Sequence, residues 1–373
     1  MAGRKVILPL FIFVFAASAT FGQTEVFKNV VNNLAFYKQK KDVKYLAGAK
    51  KSVDSLIKTH ADSIDLAKNV YKAVVYSSIA YIDSTNKLKQ PATFFDQQVC
   101  KLYDKLAANK RIYKYQPEMD FSRHCIANVY LRQGFTFMHL SDYHNAIQSF
   151  QSAKKYSPEF KELNAYIAYA NNRLGNTLDA AHYYTELLKT DSTRGQYIEA
   201  ASNTYKAIGD TSKALQVLQK GRKHLPGDNF LLLDEANIYN NRKDYHALAP
   251  LLPQLLDQNT NSAEVAFIAA NCYDHLNNFD KAESLYLRSV ELNGSLYEPV
   301  YNLGILYFRE GIAKHGDDAK NDISRAGQWL ERASDMAPND VKCLQLLQMV
   351  YTRAGDQAQI DKINSKLKLL TNQ

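Results

Sequence analysis

Apolar side chains between residues 23 and 125 fall at helical spacing, and nothing there reads as strand. Leu46, Ala49, Val53, Leu56 and Ile57 form one stripe, and Leu66, Val70, Ala73 and Val74 form another. Pro91 suits the first turn of a helix running to about Asn109. Tyr113, Tyr115 and Pro117 mark a linker. Beyond it the helical pattern becomes periodic. A step of 34 from Gly134 meets Ala168, Ser202, Ala236, Ala270 and Gly304, all small residues. The same step from Phe137 meets Asn171, Tyr205, Tyr239, Tyr273 and Tyr307. Ala146 leads to Ala180, Ala214, Leu248 and Ala282, and Phe150 leads to Tyr184, Leu218, Leu252 and Tyr286. Pro158 leads to Ser192, Pro226, Thr260 and Gly294, all compatible with turns.

Within each unit the small residue precedes the aromatic by three, which places both on one helical face. A second helix carries the alanine and, four later, a large apolar residue. Small residues let two antiparallel helices approach closely, and the aromatic fills the space beside them. Turns such as Gly209-Asp210 and Asn277-Asn278 divide first helix from second, and Pro158 and Pro226 end the second. Asn171 interrupts the aromatic column, so looser packing is expected there.

A 34-residue helix–turn–helix unit with these columns resembles the tetratricopeptide repeat family. Residues 127–160 match it best, through Tyr130, Gly134, Phe137, Tyr143, Ala146, Phe150, Ala153 and Pro158. The resemblance implies an all-α, right-handed superhelical solenoid of antiparallel helix pairs. The expected units are 127–160, 161–194, 195–228, 229–262, 263–296, 297–340 and 341–371. In the sixth, the alanine arrives ten residues late at Ala326, so residues 310–320 read as an inserted loop or lengthened turn. Lys362, Lys366 and Lys368 suit a solvated capping helix at the end. Residues 23–125 read as a helical N-terminal region with one or two degenerate repeats, because Ala73 and Tyr76 echo the small–aromatic step.

Composition explains less than the period does. Twenty-five Tyr and 17 Phe against one Trp follow from the aromatic column. The 46 Lys and Arg exceed 38 Asp and Glu, a formal +8 that invites a nucleic-acid reading. Residues 1–22 argue otherwise. Arg4 and Lys5, an apolar run from Val6 to Ala17, and small residues up to Gly22 have the layout of a cleaved export signal. Its removal leaves a charge of +6, read as spread along an exported solenoid in the periplasm or cell envelope. No nucleic-acid partner is expected.

Catalytic constellations are missing from the sequence. Gly209-Asp210-Thr211-Ser212-Lys213 lacks the spacing of a phosphate loop. His139 and His144 are five apart, unlike helical zinc pairs. His315-Gly316-Asp317-Asp318 offers too few oxygens for a hard cation. The expectation is a non-enzymatic protein with no cofactor and no metal. Cys272 and Cys343 lie two repeats apart, too far for a bridge. Cys100 and Cys125 flank the linker, where a disulfide is geometrically open, though buried free thiols are favoured.

In the resembled family the first helices line the concave surface. The residue after each small one then reads Phe135, Tyr169, Asn203, Asn237, Asn271 and Ile305, with Asn172 and Asn240 three further along. A side-chain amide both donates and accepts, so Asn203, Asn237 and Asn271 suit the backbone of an extended peptide. Glu199, Asp234, Glu264 and Asp274 stand beside Arg173, Lys206 and Arg309, a mixture that suits no strongly anionic ligand. The leading expectation is an envelope scaffold gripping a protein or peptide segment. The alternative is an assembly component of an outer-membrane or polysaccharide-export machine, docking through its N-terminal region or convex face.

Overall fold

The periodic caps of the second helices set the step of the fold. In the computed structural model, which describes residues 25–371, every regular element described is helical. The export segment expected at 1–22 lies outside the described residues. An N-terminal group comprises α1 (Glu25–Lys40), α2 (Lys44–Ser55), α3 (His60–Ile64), α4 (Leu66–Ile82), a π-helical segment (Phe94–Cys100) and α5 (Lys101–Ala107). A 3-10 turn (Ile112–Tyr115) leads into α6 (Gln116–His139), paired with α7 (Tyr143–Tyr156). The pairs α8 (Leu163–Leu174) and α9 (Thr177–Leu188), then α10 (Gly195–Ala207) and α11 (Thr211–His224), follow. Next come α12 (Asn229–Asn241) with the interrupted α13 (Tyr245–Leu248) and α14 (Leu252–Gln258), broken around Pro250 and Pro253. The remaining pairs are α15 (Ala263–His275) with α16 (Phe279–Leu292), α17 (Tyr297–Ala313) with α18 (Gly316–Met336), and α19 (Val341–Ala354) with α20 (Gln357–Thr371). This is the expected all-α fold of antiparallel, tetratricopeptide-type helix pairs.

Helices α7, α9, α11, α13 and α16 begin 34 residues apart, and a capping residue precedes each: Asp142, Asn176, Asp210, Asp244 and Asn278. Four of the five accept a hydrogen bond from the backbone three residues on, at Asn145, Lys213, Ala247 and Lys281. The residue before each cap has positive φ: Ser141, Gly175, Gly209, Lys243 and Asn277. The caps' own N–H groups donate back to the aromatic column, Asp142 to the carbonyl of Phe137 at 2.9 Å and Asp244 to that of Tyr239 at 2.9 Å. Replacing Asp244 by alanine is expected to lower stability by about 1 kcal/mol in urea unfolding, while Asp244→Asn restores it.

The same motif explains the insertion. In phase, the cap of α18 falls at Gly311-Ile312, and isoleucine has no acceptor with which to start a helix. Helix α17 therefore continues to Ala313, and α18 begins at Gly316, ten residues ahead of Ala326 instead of the usual three. The loop expected near 310–320 is thus a correction: the surplus residues lengthen both helices around a short break at Lys314 and His315. Gly311 is buried at that crossing, where a Cβ would come within 2.9 Å of Ile323 Cδ1.

The small and large columns meet as expected. A Cβ on Gly134 would lie 2.4 Å from Phe150 Cε1, and one on Gly304 2.5 Å from Leu330 Cγ. Phe150, Leu218, Leu252, Tyr286 and Leu330 are all fully buried. The tyrosine column has a second task not legible from packing alone. Its hydroxyls reach back to the preceding second helix: Tyr205 to Thr185 at 2.5 Å, Tyr239 to Gln219 at 2.7 Å, Tyr351 to Glu331 at 2.5 Å, and Tyr307 to Glu283. Asn171, expected to loosen its unit, is buried and satisfied. Its amide donates to the Ile167 carbonyl at 3.0 Å and its oxygen accepts from Asn176 at 3.3 Å.

The chain divides into two compact units, one up to Ser192 with Asn203–Gly209, the other Thr193–Ser202 with Asp210 onward. The boundary expected between 125 and 127 falls inside α6, and Pro117 lies in that helix's first turn instead of in a linker. Charge is not spread along the solenoid either. Residues 23–125 hold 18 Lys and Arg against 10 Asp and Glu, whereas residues 126–373 hold 26 against 28. All four cysteines are buried and free, so Cys100 and Cys125 form no bridge. Burial pushes the Cys100 and Cys343 thiols up to about 11. Among the described residues, no helix is long and apolar enough to cross a membrane.

Candidate functional site

The seven residues expected to contact a partner divide between the two units. In the first, Phe135 on α6 is half-buried. Its ring packs edge-on against Phe150 at 5.4 Å and Tyr166 at 4.9 Å, which places it among the core aromatics. Tyr169 on α8 is 46% exposed. Asn172 is exposed but donates to Thr204 Oγ1 at 2.9 Å, bridging α8 to α10. Asn203 on α10 faces solvent. Arg173 lies over the Tyr143 ring, and its Nε donates to the Tyr143 hydroxyl at 3.2 Å.

In the second unit, Asn237 and Asn240 lie on α12 and Asn271 on α15, all half-buried. Asn271 Nδ2 donates to Asn240 Oδ1 at 3.3 Å, so these two amides form one pair across neighbouring repeats. One amide–amide bond uses one donor group and one acceptor group. Asn240 keeps its own N–H donors, and Asn271 keeps its carbonyl acceptor. An extended backbone offers the complementary set, one C=O and one N–H. Asn237 stands one helical turn before Asn240 on the same helix face.

Asp274 and Arg309, expected as separate groove charges, are one ion pair joining α15 to α17. The Asp274 side chain is only 9% exposed, and its other oxygen accepts from the buried Tyr286 hydroxyl at 3.3 Å. Asn302 Nδ2 donates to that hydroxyl in turn at 3.2 Å. Burial and then the Asp274 charge raise the Tyr286 phenol well above its ordinary value, so it stays a neutral donor. Position 274 sits one 34-residue step after Asn240, a spacing that links the two polar features. The pairing itself was not legible, because Arg309 lies a full helix pair away.

Sequence reading also missed a cleft of about 690 Å³ between α18 and α19, bordered by His315, Lys320, Gln328, Glu331, Arg353 and Asp356. The signal for it was the lost cap at Ile312, which lets α18 extend past its usual start. No group of three or more His, Cys, Asp or Glu side chains able to hold a metal ion occurs among the described residues.

The repeat is also found by comparison with known protein families. Residues 127–160 and 263–295 match the tetratricopeptide repeat family. No curated protein matches the chain. Among solved structures, the C-terminal part of a repeat-containing protein from Cytophaga hutchinsonii is 14% identical, covering 64% of this chain and 95% of that one, with a TM-score of 0.48. A tetratricopeptide repeat protein from Parabacteroides merdae is 17% identical, covering 60% and 98%, with a TM-score of 0.41. YrrB, described as having an unusual peptide-binding site, is 19% identical, covering 54% and 98%, with a TM-score of 0.45. With the repeat matched directly at two places and its step kept by the helix starts between them, the chain carries tetratricopeptide repeats over residues 127–295.

Proposed function

We propose that this protein is a non-enzymatic scaffold of the cell envelope, and that the α12–α15 face of its second unit holds an extended segment of a protein partner. Tetratricopeptide repeats are in general protein-interaction scaffolds, which the match to that family supports. The observation carrying the finer reading is the Asn240–Asn271 pair, which leaves a donor and an acceptor on adjacent helices. Asn237 extends the row, and the Asp274–Arg309 pair fixes the neighbouring polar edge. Asn203 and Tyr169 offer exposed contacts in the first unit.

Alanine at Asn240 and Asn271 together is expected to weaken partner co-purification at least tenfold, with helicity and melting temperature unchanged. Unaltered co-purification from a well-folded variant contradicts this site. Export rests on Arg4, Lys5 and the apolar run that follows them. N-terminal sequencing of the envelope fraction should begin at Gln23, and a start at Met1 in the cytoplasmic fraction contradicts it.

The second reading, docking onto an envelope assembly through residues 23–125, is supported by the concentration of positive charge there. Charge reversal at the exposed Lys51 and Lys58 then abolishes envelope association without altering capture at the asparagine face.

A further inference from the structure

A second candidate site lies in the N-terminal region, far from the asparagines in sequence. Helices α1, α2, α4 and α6 enclose a cavity of about 190 Å³ that opens beside Ala35. Its walls are apolar, with Val31 and Leu34 from α1, Leu46 from α2, Val74 and Ile82 from α4, and Phe121 from α6. An apolar cavity of roughly 150 Å³ is large enough to bind benzene, so this one has room for the end of a hydrocarbon chain. Two of the lining residues carry hydroxyls: Ser78 donates to the Val74 carbonyl at 2.7 Å, and the half-buried Tyr37 stands beside Lys41.

The boundary of the cavity is cationic. Lys38 and Lys41 line it, both exposed, and no carboxylate does. Lys41 follows the last residue of α1 in the left-handed region, with φ of 57°, its N–H bonded to the Tyr37 carbonyl at 2.8 Å. Its ammonium lies 5.8 Å from the Tyr37 ring. At the same end of α1, the 46%-exposed Phe36 ring meets Tyr45 at 5.5 Å, and Lys40 lies 6.0 Å from each ring. This region carries the surplus of 18 basic over 10 acidic residues. An apolar slot with a cationic mouth complements a molecule with a hydrocarbon tail and an anionic head.

We propose that this cavity binds the end of a single unbranched acyl chain whose carboxylate or phosphate head rests on Lys38 and Lys41. The chain comes either from a free fatty acid or from an anionic membrane lipid, and the head and tail chemistry is the same in both. Apolar burial then sets the affinity, while the lysines set the sign of charge accepted. Asp42, the nearest carboxylate in sequence, is paired with Lys44 at 3.0 Å.

The test titrates the full-length protein with hexanoate, octanoate, decanoate and dodecanoate, each below its micelle concentration, by calorimetry. Binding at one site is expected, strengthening about fourfold per added methylene and then levelling off once the cavity is full. Decyltrimethylammonium, with the same tail and opposite head, should bind at least tenfold more weakly than decanoate. Ala35→Trp plugs the opening from an exposed position and should remove decanoate binding while leaving the melting temperature within a few degrees. Lys38→Glu with Lys41→Glu changes only surface charge and should invert the preference between the two heads. Vesicles with and without an anionic phospholipid distinguish the sources. Decanoate binding together with vesicle binding blocked by Ala35→Trp assigns a lipid chain, and decanoate binding alone assigns the free acid. No saturable decanoate binding, equal affinity for both heads, or vesicle binding insensitive to Ala35→Trp overturns the cavity assignment.

Discussion

Replacing Phe150 by alanine is expected to lower stability by about 3–5 kcal/mol, among the largest effects any single substitution has in this chain. The ring is fully buried between Phe135 and Tyr166, and Gly134 exists opposite it because no Cβ fits there. Gly134→Ala alone should also destabilise, by about 1–3 kcal/mol, since its methyl is driven into the ring. Combined with Phe150→Ala, the same methyl enters the vacated space, so the double variant should be more stable than the two losses predict. Urea unfolding of the four proteins checks this. Additive losses contradict the claim that the small and large columns are one packing unit.

A comparable loss, about 3 kcal/mol, is expected for Glu235→Ala. Glu235 on α12 and Arg222 on α11 meet at 2.6 Å with only 6% and 17% of their side chains exposed. Arg222 also donates to Gln254 at 3.2 Å, while its Nε is buried without a hydrogen-bond partner. Removing the carboxylate leaves a guanidinium in an environment that cannot solvate it. Glu235→Leu with Arg222→Met removes both charges and should recover most of the loss, because a buried pair contributes little over apolar neighbours. Thermal unfolding of single and double variants decides it. A double variant no better than Glu235→Ala contradicts this view of the pair.

The repeat was legible because its columns are residue types that packing constrains tightly. Gly134 and Phe150 are visible as a pair once the 34-residue step is known. The caps at Asp142, Asp210 and Asp244 follow the same step and were equally readable. Recognising them would have exposed Ile312 as the failed cap and turned the expected loop at 310–320 into two longer helices. What stayed hidden depends on contacts between helices far apart in sequence. Asp274 meets Arg309, Asn271 meets Asn240, and Phe135 packs edge-on against Tyr166 while staying half-exposed. Position on a helix gives a direction, but the neighbouring helix decides whether that direction is solvent. The basic surplus was misread for a simpler reason: a whole-chain total conceals where +8 resides.

The acyl cavity and the asparagine face are separable by mutation, so neither depends on the other. Photo-cross-linking in intact cells tests the asparagine face most directly. A photoreactive residue is placed at position 237, and for comparison at the exposed Leu287 on α16. One discrete cross-linked partner is expected from position 237, lost on Asn240→Ala with Asn271→Ala, and none from position 287. The same partner captured from position 287, or capture at 237 that survives both alanines, contradicts this site.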